Sequence, residues 1–214
     1  MKNLQGKIPL LLSLVLISLC IILSFKKLRH WEGIPLIAGI VLASLYCIWI
    51  LLELKVSVGE VKMEKTAGDR WTMEFYALSQ GAVVIAALAV PTLWKESGVW
   101  VYLGMGIFIG AIILRLSAII MLGDFYSHRV RLQEDHAIID RGPYRFIRHP
   151  AYAGMLFAHA GFVIFFFNVP SVICFAILCV SVIIRIRVEE RMLFHIAGYR
   201  EYSEGRKRLI PLVW

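Results

Sequence analysis

Long apolar runs alternate with short polar segments along this chain, and the pattern predicts membrane-spanning helices. A helix needs about 20 apolar residues to cross the roughly 30 Å hydrocarbon core of a bilayer. Four runs reach this length, at residues 8–25, 34–52, 75–94 and 99–123. The first run is not followed by an A-x-A-like cleavage site, so we expect it to be retained as a helix rather than removed as a leader.

A fifth apolar run is longer, because residues 152–184 contain no charged side chain over 33 positions. As one straight helix it would be about 50 Å long, too long for the hydrocarbon core. Pro170 lies near its middle and disfavours helical backbone at the residue before it. The pattern therefore predicts a turn at 168–171 between two antiparallel arms, each shorter than a full span. This hairpin should bring the polar segment 124–150 close to the charged tail 185–214.

The predicted fold class is an all-α, polytopic integral membrane protein with four spanning helices, a C-terminal helical hairpin, and a polar loop and tail. We divide the chain into N-terminal transmembrane helices at 1–123 and a second region at 124–214 that holds the loop, hairpin and tail. Composition agrees, since 59% of the residues are hydrophobic and 18% are charged, against about 45–50% and 25% in soluble domains. A water-soluble globule is excluded.

The net charge of +8 reflects topology rather than nucleic-acid binding. With the N-terminus inside, 18 of the 23 lysines and arginines fall in inside segments, as the positive-inside rule requires. The loop and tail are then cytoplasmic, although Lys26, Lys27 and Arg29 on the outside break the rule locally. The partners expected of such a chain are membrane lipid and a lipophilic small-molecule or lipidated substrate, and nucleic acid is not expected.

Several motifs have structural explanations. The glycines at 104, 106 and 110 lie inside an apolar span and lack the G-x-G-x-x-G spacing of a dinucleotide site. Gly106 and Gly110 instead predict close helix packing. His159, inside the hairpin, is expected to be a structural histidine. The four cysteines form no C-x-x-C motif or metal-ligand cluster, so no metal is expected.

The polar chemistry gathers on both flanks of the hairpin. Arg148, His149 and Pro150 place two polar side chains where a helix begins at a proline. Lipid-headgroup contact and helix capping would explain this stretch equally well. On the far flank, Arg185 and Glu189 are four residues apart on one helical face at the membrane edge. Charged groups at that depth are costly and usually functional, and a structural ion pair is the alternative.

The order of these motifs resembles a known family. Residues 136–154 read H-x-x-(hydrophobic)-x-x-G-x-Y-x-x-x-R-H-P-x-Y-x-G, and after the hairpin come R-x-x-x-E-E-x-x-L at 185–193, Y-x-x-Y at 199–202 and R-x-I-P at 208–211. This pattern, from Leu122 onward, resembles the isoprenylcysteine carboxyl methyltransferases. Members of that family are integral membrane enzymes that use S-adenosylmethionine, and residues 124–214 would be their catalytic region.

The resemblance implies a role for particular residues. Arg185 corresponds to the arginine that binds the substrate carboxylate, and together with Glu189 it forms the expected catalytic pair. The expected contacts to S-adenosylmethionine are His136, Ala137, Ile138, Ile139, Tyr144, His149, Pro150, Ala151, Tyr152 and Glu189.

The methyl acceptor is open at this point. A carboxylate is already ionised at neutral pH and needs no base, whereas a lipidic phenol or pyrone would need one, for which Glu189 and His149 are candidates. The compact chain suggests a bacterial or archaeal inner membrane, where prenylated C-terminal cysteines are not expected. A membrane lipid or sterol reductase using NADPH is a second class, because some of these enzymes resemble the family in this region. A non-catalytic scaffold is a third.

Overall fold

The structure is a computed structural model that describes residues 8–60, 72–94, 98–123, 138–211 and 214. Over these residues all regular elements are helical: α1 Ile8–Leu28, α2 Gly33–Glu60, α3 Thr72–Ala89, α4 Val99–Leu122, a 3₁₀ helix Gly142–Arg145, α5 Pro150–Phe165, α6 Val169–Leu193 and α7 Tyr199–Glu204. Five of them, α1 to α4 and α6, are long and apolar enough to cross a membrane. The predicted all-α, multi-pass membrane class is confirmed.

The helices form a bundle in which α4 packs along α5 and α3 packs along α6, with α1 against α2 and α3. One end of the bundle holds the turn between α5 and α6. There the Leu93 amide donates to the Phe167 carbonyl at 2.8 Å, and the Trp94 indole donates to the Phe165 carbonyl at 2.9 Å. The opposite end holds the polar loop and tail, and its cytoplasmic location stays a prediction.

Helix α3 is shorter than its apolar run at the C-terminal side. The prediction of 75–94 is wrong at that end, because Pro91 disfavours helical backbone at Val90 and the helix stops at Ala89. The last carbonyls at this end accept hydrogen bonds from the side chains of Lys27 and Asn168. The ammonium of Lys27 donates to the carbonyls of Ala87, at 2.9 Å, and Val90. Lys27, which breaks the positive-inside rule, therefore has a structural role as a helix C-cap.

The hairpin turn lies where the proline predicts it. Asn168 is the N-cap of α6: its side-chain oxygen accepts from the Ser171 amide at 2.9 Å, and its amide donates to carbonyls of α3, including Ala87 at 3.2 Å. The prediction that both arms are too short to span is wrong for the second, since α6 has 25 residues against 16 in α5. The apolar run ends at 184, but the charged residues after it are good helix formers and continue the helix to Leu193.

The close helix contact predicted at Gly106 and Gly110 is wrong. A Cβ added at either residue would have nothing within 4 Å. Gly104 makes the contact instead, because residue 106 is about 200° around the helix from it. A Cβ at Gly161 of α5 would lie 2.7 Å from the Gly104 carbonyl oxygen and from the Phe108 backbone nitrogen. Backbones of α4 and α5 therefore touch through Gly104 and Gly161.

The arginine inside the fourth span is neutralised by a carboxylate from the second. Arg115 and Glu53 form a two-pronged ion pair in which Nη2 lies 2.7 Å from Oε2. Arg115 Nη1 also donates to the Ala151 carbonyl at 2.8 Å, and the Trp49 indole donates to the same carboxylate. Buried charges are tolerated when they are paired in this way, and the pair ties α2 and α4 to the first turn of α5.

His159 is fully buried in α5, beside the rings of Tyr46 and Trp49. Its Nδ1 lies 2.9 Å from the Met155 carbonyl, and Nε2 has no hydrogen-bond partner among the described residues. The expectation of a structural histidine agrees with this position in the aromatic core, with only one of its two ring nitrogens bonded.

Candidate active site

The C-terminal tail pairs with the loop that precedes α5. The amides of Arg148 and His149 donate to the carbonyls of Lys207 and Arg208, both at 2.9 Å. They flank an isolated parallel bridge that pairs Ile147 with Lys207. Because backbone groups buried at a membrane surface must be satisfied, the tail completes the loop and holds its two polar side chains in place.

His149 sits at the N-cap of α5, directly before Pro150. Proline is favoured in the first helical turn because it has no N–H to satisfy there. The imidazole is buried: Nε2 lies 3.2 Å from Oε1 of Glu190, and Nδ1 lies 3.9 Å from Oε1 of Glu189. The predicted approach of His149 to Glu189 across the hairpin is therefore present in the structure.

Glu190 is the residue that sequence reasoning missed. Its side chain is buried, and it joins three segments: Oε1 lies 2.8 Å from Arg148 Nη1 and 3.2 Å from His149 Nε2, and Oε2 accepts from Arg208 Nε at 2.7 Å. The signal was the Glu189–Glu190 doublet, in which adjacent residues point about 100° apart on a helix. One carboxylate thus organises loop, hairpin and tail while the other stays half-buried beside them.

Arg185 lies one helical turn deeper than Glu189 and is only 1% exposed. Its Nη1 donates to the Thr72 hydroxyl at 3.3 Å, and its guanidinium carbon lies 5.5 Å from the centre of the Tyr76 ring. Tyr76 meets the Tyr152 ring edge-on at 6.0 Å. The start of α3, which carried no motif, therefore forms one wall around the predicted substrate arginine.

Two tyrosines of α7 close the tail side of the site. The Tyr202 hydroxyl donates to the Tyr144 carbonyl at 2.9 Å, and burial raises the pKa of Tyr202 to about 12. Burial also raises the pKa of Tyr199, and the Glu190 and Glu189 carboxylates add to the effect. Both phenols therefore remain neutral hydrogen-bond donors at physiological pH. The Tyr199 hydroxyl is buried with no hydrogen-bond partner among the described residues.

The other residues predicted to contact the cofactor are placed as follows. His136 and Ala137 lie outside the described residues. Ile138 lies next to Gly198: a Cβ added to Gly198 would be 3.3 Å from Cδ1 of Ile138. Tyr144, Ala151 and Ile139 form a small apolar cluster against α4. Pro150 is buried, and the Tyr152 ring lies 5.9 Å from the His149 ring.

The part of the chain that the structure describes holds no group of three or more His, Cys, Asp or Glu side chains arranged to bind a metal. The polar groups at this end are instead two glutamates, four arginines, a histidine and neutral tyrosines, namely Glu189, Glu190, Arg148, Arg185, Arg206, Arg208, His149, Tyr199 and Tyr202. Such a set can bind a polar ligand with both negative and positive groups at the membrane boundary.

The fold and this site define a helical membrane protein with a polar site at one end of its bundle. The sequence model of the isoprenylcysteine carboxyl methyltransferase family matches residues 102–195. The chain belongs to this family. The match begins 20 residues earlier than the motifs alone indicate and covers α4 to α6, whereas the tail with Tyr202 and Arg208 lies outside it.

Curated relatives agree with the family. Protein-S-isoprenylcysteine O-methyltransferase A of Arabidopsis thaliana is 33% identical over 106 residues, which is 47% of this chain and 54% of the relative. A probable protein-S-isoprenylcysteine O-methyltransferase of Oryza sativa subsp. indica is 32% identical over 132 residues, 59% of this chain and 69% of the relative. The Schizosaccharomyces pombe enzyme is 30% identical over 105 residues, 47% and 44% of the two chains. The chain thus spans about half the length of the Arabidopsis relative.

Proposed function

We propose that this protein transfers a methyl group from S-adenosylmethionine to a carboxylate oxygen of a lipophilic, isoprenylcysteine-like acceptor. The observation that carries the proposal is the convergence of His149, Glu189 and Arg185 at one end of a membrane bundle, within the region that matches the family. A polar cofactor can reach this end from water, while an acceptor with an apolar tail can approach from the bilayer between helices.

The residues present fit S-adenosylmethionine, which carries hydroxyls, a carboxylate and an ammonium. Arg148 Nε and the Tyr199 hydroxyl are buried donors without a partner among the described residues. Unsatisfied buried donors are costly, so a ligand whose oxygens accept from these two groups would be stabilised. The half-exposed Glu189 carboxylate supports binding of hydroxyl or ammonium groups. We assign the remaining contacts to Ile138, Ile139, Tyr144, His149, Pro150, Ala151 and Tyr152, and those of His136 and Ala137 remain predictions.

A bound cofactor would supply a methyl group on a positively charged sulfur, and the carbon–sulfur bond would break as the acceptor oxygen bonds to the methyl carbon, so that the sulfur leaves as a neutral thioether. The chain's own contribution is to orient the acceptor and exclude water. Arg185 would hold the acceptor carboxylate, which is ionised at neutral pH because such groups have a pKa of about 3.5. No general base is then required. The aromatic rings of Tyr76 and Tyr152 beside Arg185 keep this position dry, which strengthens the ion pair.

The cofactor assignment predicts that S-adenosylhomocysteine binds the detergent-purified protein with micromolar affinity. Because Glu189 is the half-exposed carboxylate of the site, Glu189→Gln should weaken this binding at least tenfold, about 1.4 kcal/mol. Isothermal titration calorimetry measures both. Glu201→Gln is the matched control, since Glu201 is exposed on α7, and its affinity should equal that of the wild type. Tight NADPH binding with no response to S-adenosylhomocysteine would replace the methyltransferase proposal with a membrane reductase.

The acceptor assignment predicts a selective defect in Arg185→Lys. A guanidinium holds a carboxylate with two parallel hydrogen bonds that an ammonium cannot reproduce. The KM for an S-farnesylcysteine acid should therefore rise about tenfold or more, while the affinity for S-adenosylhomocysteine stays unchanged. Radiolabelled methyl transfer measures KM, and inhibition by the matching S-farnesylcysteine amide provides a carboxylate-free control.

In the wild type the acid should bind more tightly than the amide, and Arg185→Lys should remove that difference. Equal KM values in the two enzymes would leave Arg185 as a structural residue. If transfer then went to a phenol or pyrone, the pH–rate profile would gain a basic limb that reports the group removing the proton.

A further inference from the structure

A cavity lies between α1 and α2, and none of its lining residues belongs to the candidate active site. It has a volume of about 510 Å³, within the usual size range of small-molecule sites, and its lining is predominantly apolar. Along α1 its lining extends from the buried Cys20 to the exposed Arg29, and we call the end at Arg29 and Trp31 its mouth. The mouth is at the C-terminal end of α1 and the start of α2, on the side of the bundle that holds the α5–α6 turn.

The depth of this cavity matches one leaflet of a bilayer. Nine residues separate Cys20 from Arg29, which corresponds to about 13.5 Å along a helix. Half of the hydrocarbon core is about 15 Å. A chain lying in the cavity would therefore run from the interface to the bilayer centre, as one acyl chain of a lipid does.

Ser24 is a buried polar residue in this predominantly apolar lining. Ser24 is only 7% exposed, and its hydroxyl has no hydrogen-bond partner among the described residues. It is five residues before Arg29, which places it about 7.5 Å deeper along the helix. In a phospholipid the ester oxygens lie on the apolar side of the phosphate. Ser24 and Arg29 thus have the order that a phospholipid's ester and phosphate require.

The mouth of the cavity carries a positive charge. Of the three basic residues that break the positive-inside rule, Lys27 caps α3. Arg29 is exposed and lines the mouth, and its Nε donates to the neighbouring His30 ring at 2.7 Å. An arginine at a membrane interface attracts anionic lipid by about 1 kcal/mol.

We propose that this cavity binds one anionic phospholipid of the leaflet opposite the active site. One acyl chain fills the apolar cavity between α1 and α2, an ester oxygen accepts from the Ser24 hydroxyl, and the phosphate binds Arg29. The site does not depend on methyl transfer, so its test stands apart from that of the proposed function.

The test is native mass spectrometry of the full-length protein in detergent, titrated with phosphatidylglycerol or with phosphatidylcholine of the same acyl chains. Phosphatidylglycerol should bind about fivefold more tightly, because both lipids carry the phosphate but only phosphatidylcholine adds a choline cation, which cancels the net negative charge that Arg29 attracts. Arg29→Gln should abolish that preference. Lys26→Gln is the matched control, because Lys26 is also basic and exposed but does not line the cavity, and it should keep the preference.

A second pair of variants tests the acyl chain. Ser44→Phe adds bulk at an exposed residue that lines the cavity and should weaken binding of both lipids about tenfold, since it excludes several methylene groups worth about 0.8 kcal/mol each. Val41→Phe, on the same helix but outside the lining, should bind like the wild type. Because both positions are exposed, both variants should keep the wild-type melting temperature.

Three outcomes would overturn the proposal. One is an unchanged lipid preference in Arg29→Gln. Another is that inorganic phosphate binds as tightly as phosphatidylglycerol, which would mean that the site holds an anion and not a lipid. The third is a lipid-independent dimer that Ser44→Phe dissociates, because a second copy of the chain would then occupy the cavity.

Discussion

Replacing Glu190 by glutamine should disrupt the active site more than any other single change at this end of the bundle. The buried carboxylate accepts from Arg148, His149 and Arg208. Removing one member of a buried ion pair costs about 3–5 kcal/mol, because the partner charges stay behind unpaired. We expect the melting temperature to fall by about 6–20 °C and S-adenosylhomocysteine binding to weaken about 100-fold. Differential scanning fluorimetry measures the melting temperature, and isothermal titration calorimetry measures the affinity.

The same substitution at the neighbouring Glu189 should give a different result. Glu189→Gln should weaken S-adenosylhomocysteine binding without lowering the melting temperature. Glu189 is half-buried, and its Oε1 lies 3.9 Å from Nδ1 of His149, farther than a hydrogen bond. A double-mutant cycle between Glu190→Gln and Arg208→Gln should show a coupling energy of about 0.5–3 kcal/mol. Glu190→Gln with wild-type melting and wild-type affinity would remove the organising role that we assign to this carboxylate.

Gly161→Ala should also lower stability strongly, through helix packing rather than through charge. Its new methyl group would lie 2.7 Å from backbone atoms of α4, the Gly104 oxygen and the Phe108 nitrogen. Backbone cannot rotate out of the way as a side chain can, so the helices must separate. We expect a loss of about 3 kcal/mol in the free energy of unfolding, measured by detergent-based chemical denaturation followed by tryptophan fluorescence.

Gly110→Ala is the matched control on the facing helix. An added Cβ there would have nothing within 4 Å, and alanine has the better helix propensity, so stability should stay within about 0.5 kcal/mol or rise. Equal stability of Gly161→Ala and Gly110→Ala would contradict the close crossing of α4 and α5.

The apolar runs were sufficient to predict the helical membrane class, because each helix must satisfy its own backbone in lipid and therefore needs a long uncharged run. The ends of helices were harder to predict. The run at 75–94 overshot α3, where Pro91 and a cap from Lys27 end the helix earlier. The charged residues after 184 extended α6, since pairing with the loop and tail lets charge stay in the helix.

The candidate site was only partly predictable. His149, Arg185 and Glu189 stood out because polar residues at a membrane edge are costly and the motifs have a family pattern. Glu190 looked like a repeat of its neighbour, and Thr72 and Tyr76 belonged to no motif. The importance of these three residues comes from contacts with other segments of the chain: Glu190 contacts Arg148 and Arg208, and Thr72 contacts Arg185 across 113 residues.

The membrane class, the hairpin at 168–171, the family resemblance and most of the site's polar residues follow from local hydropathy, proline and residue spacing, and could therefore be predicted from the chain alone. Three features became visible only in the packed bundle: which of two adjacent glutamates organises the site, which glycines touch, and which carboxylate neutralises Arg115. Each of these depends on the direction in which a side chain leaves its helix and on what the neighbouring helix places there. A linear pattern specifies the face of a helix, whereas the partner on that face exists only after the helices have packed.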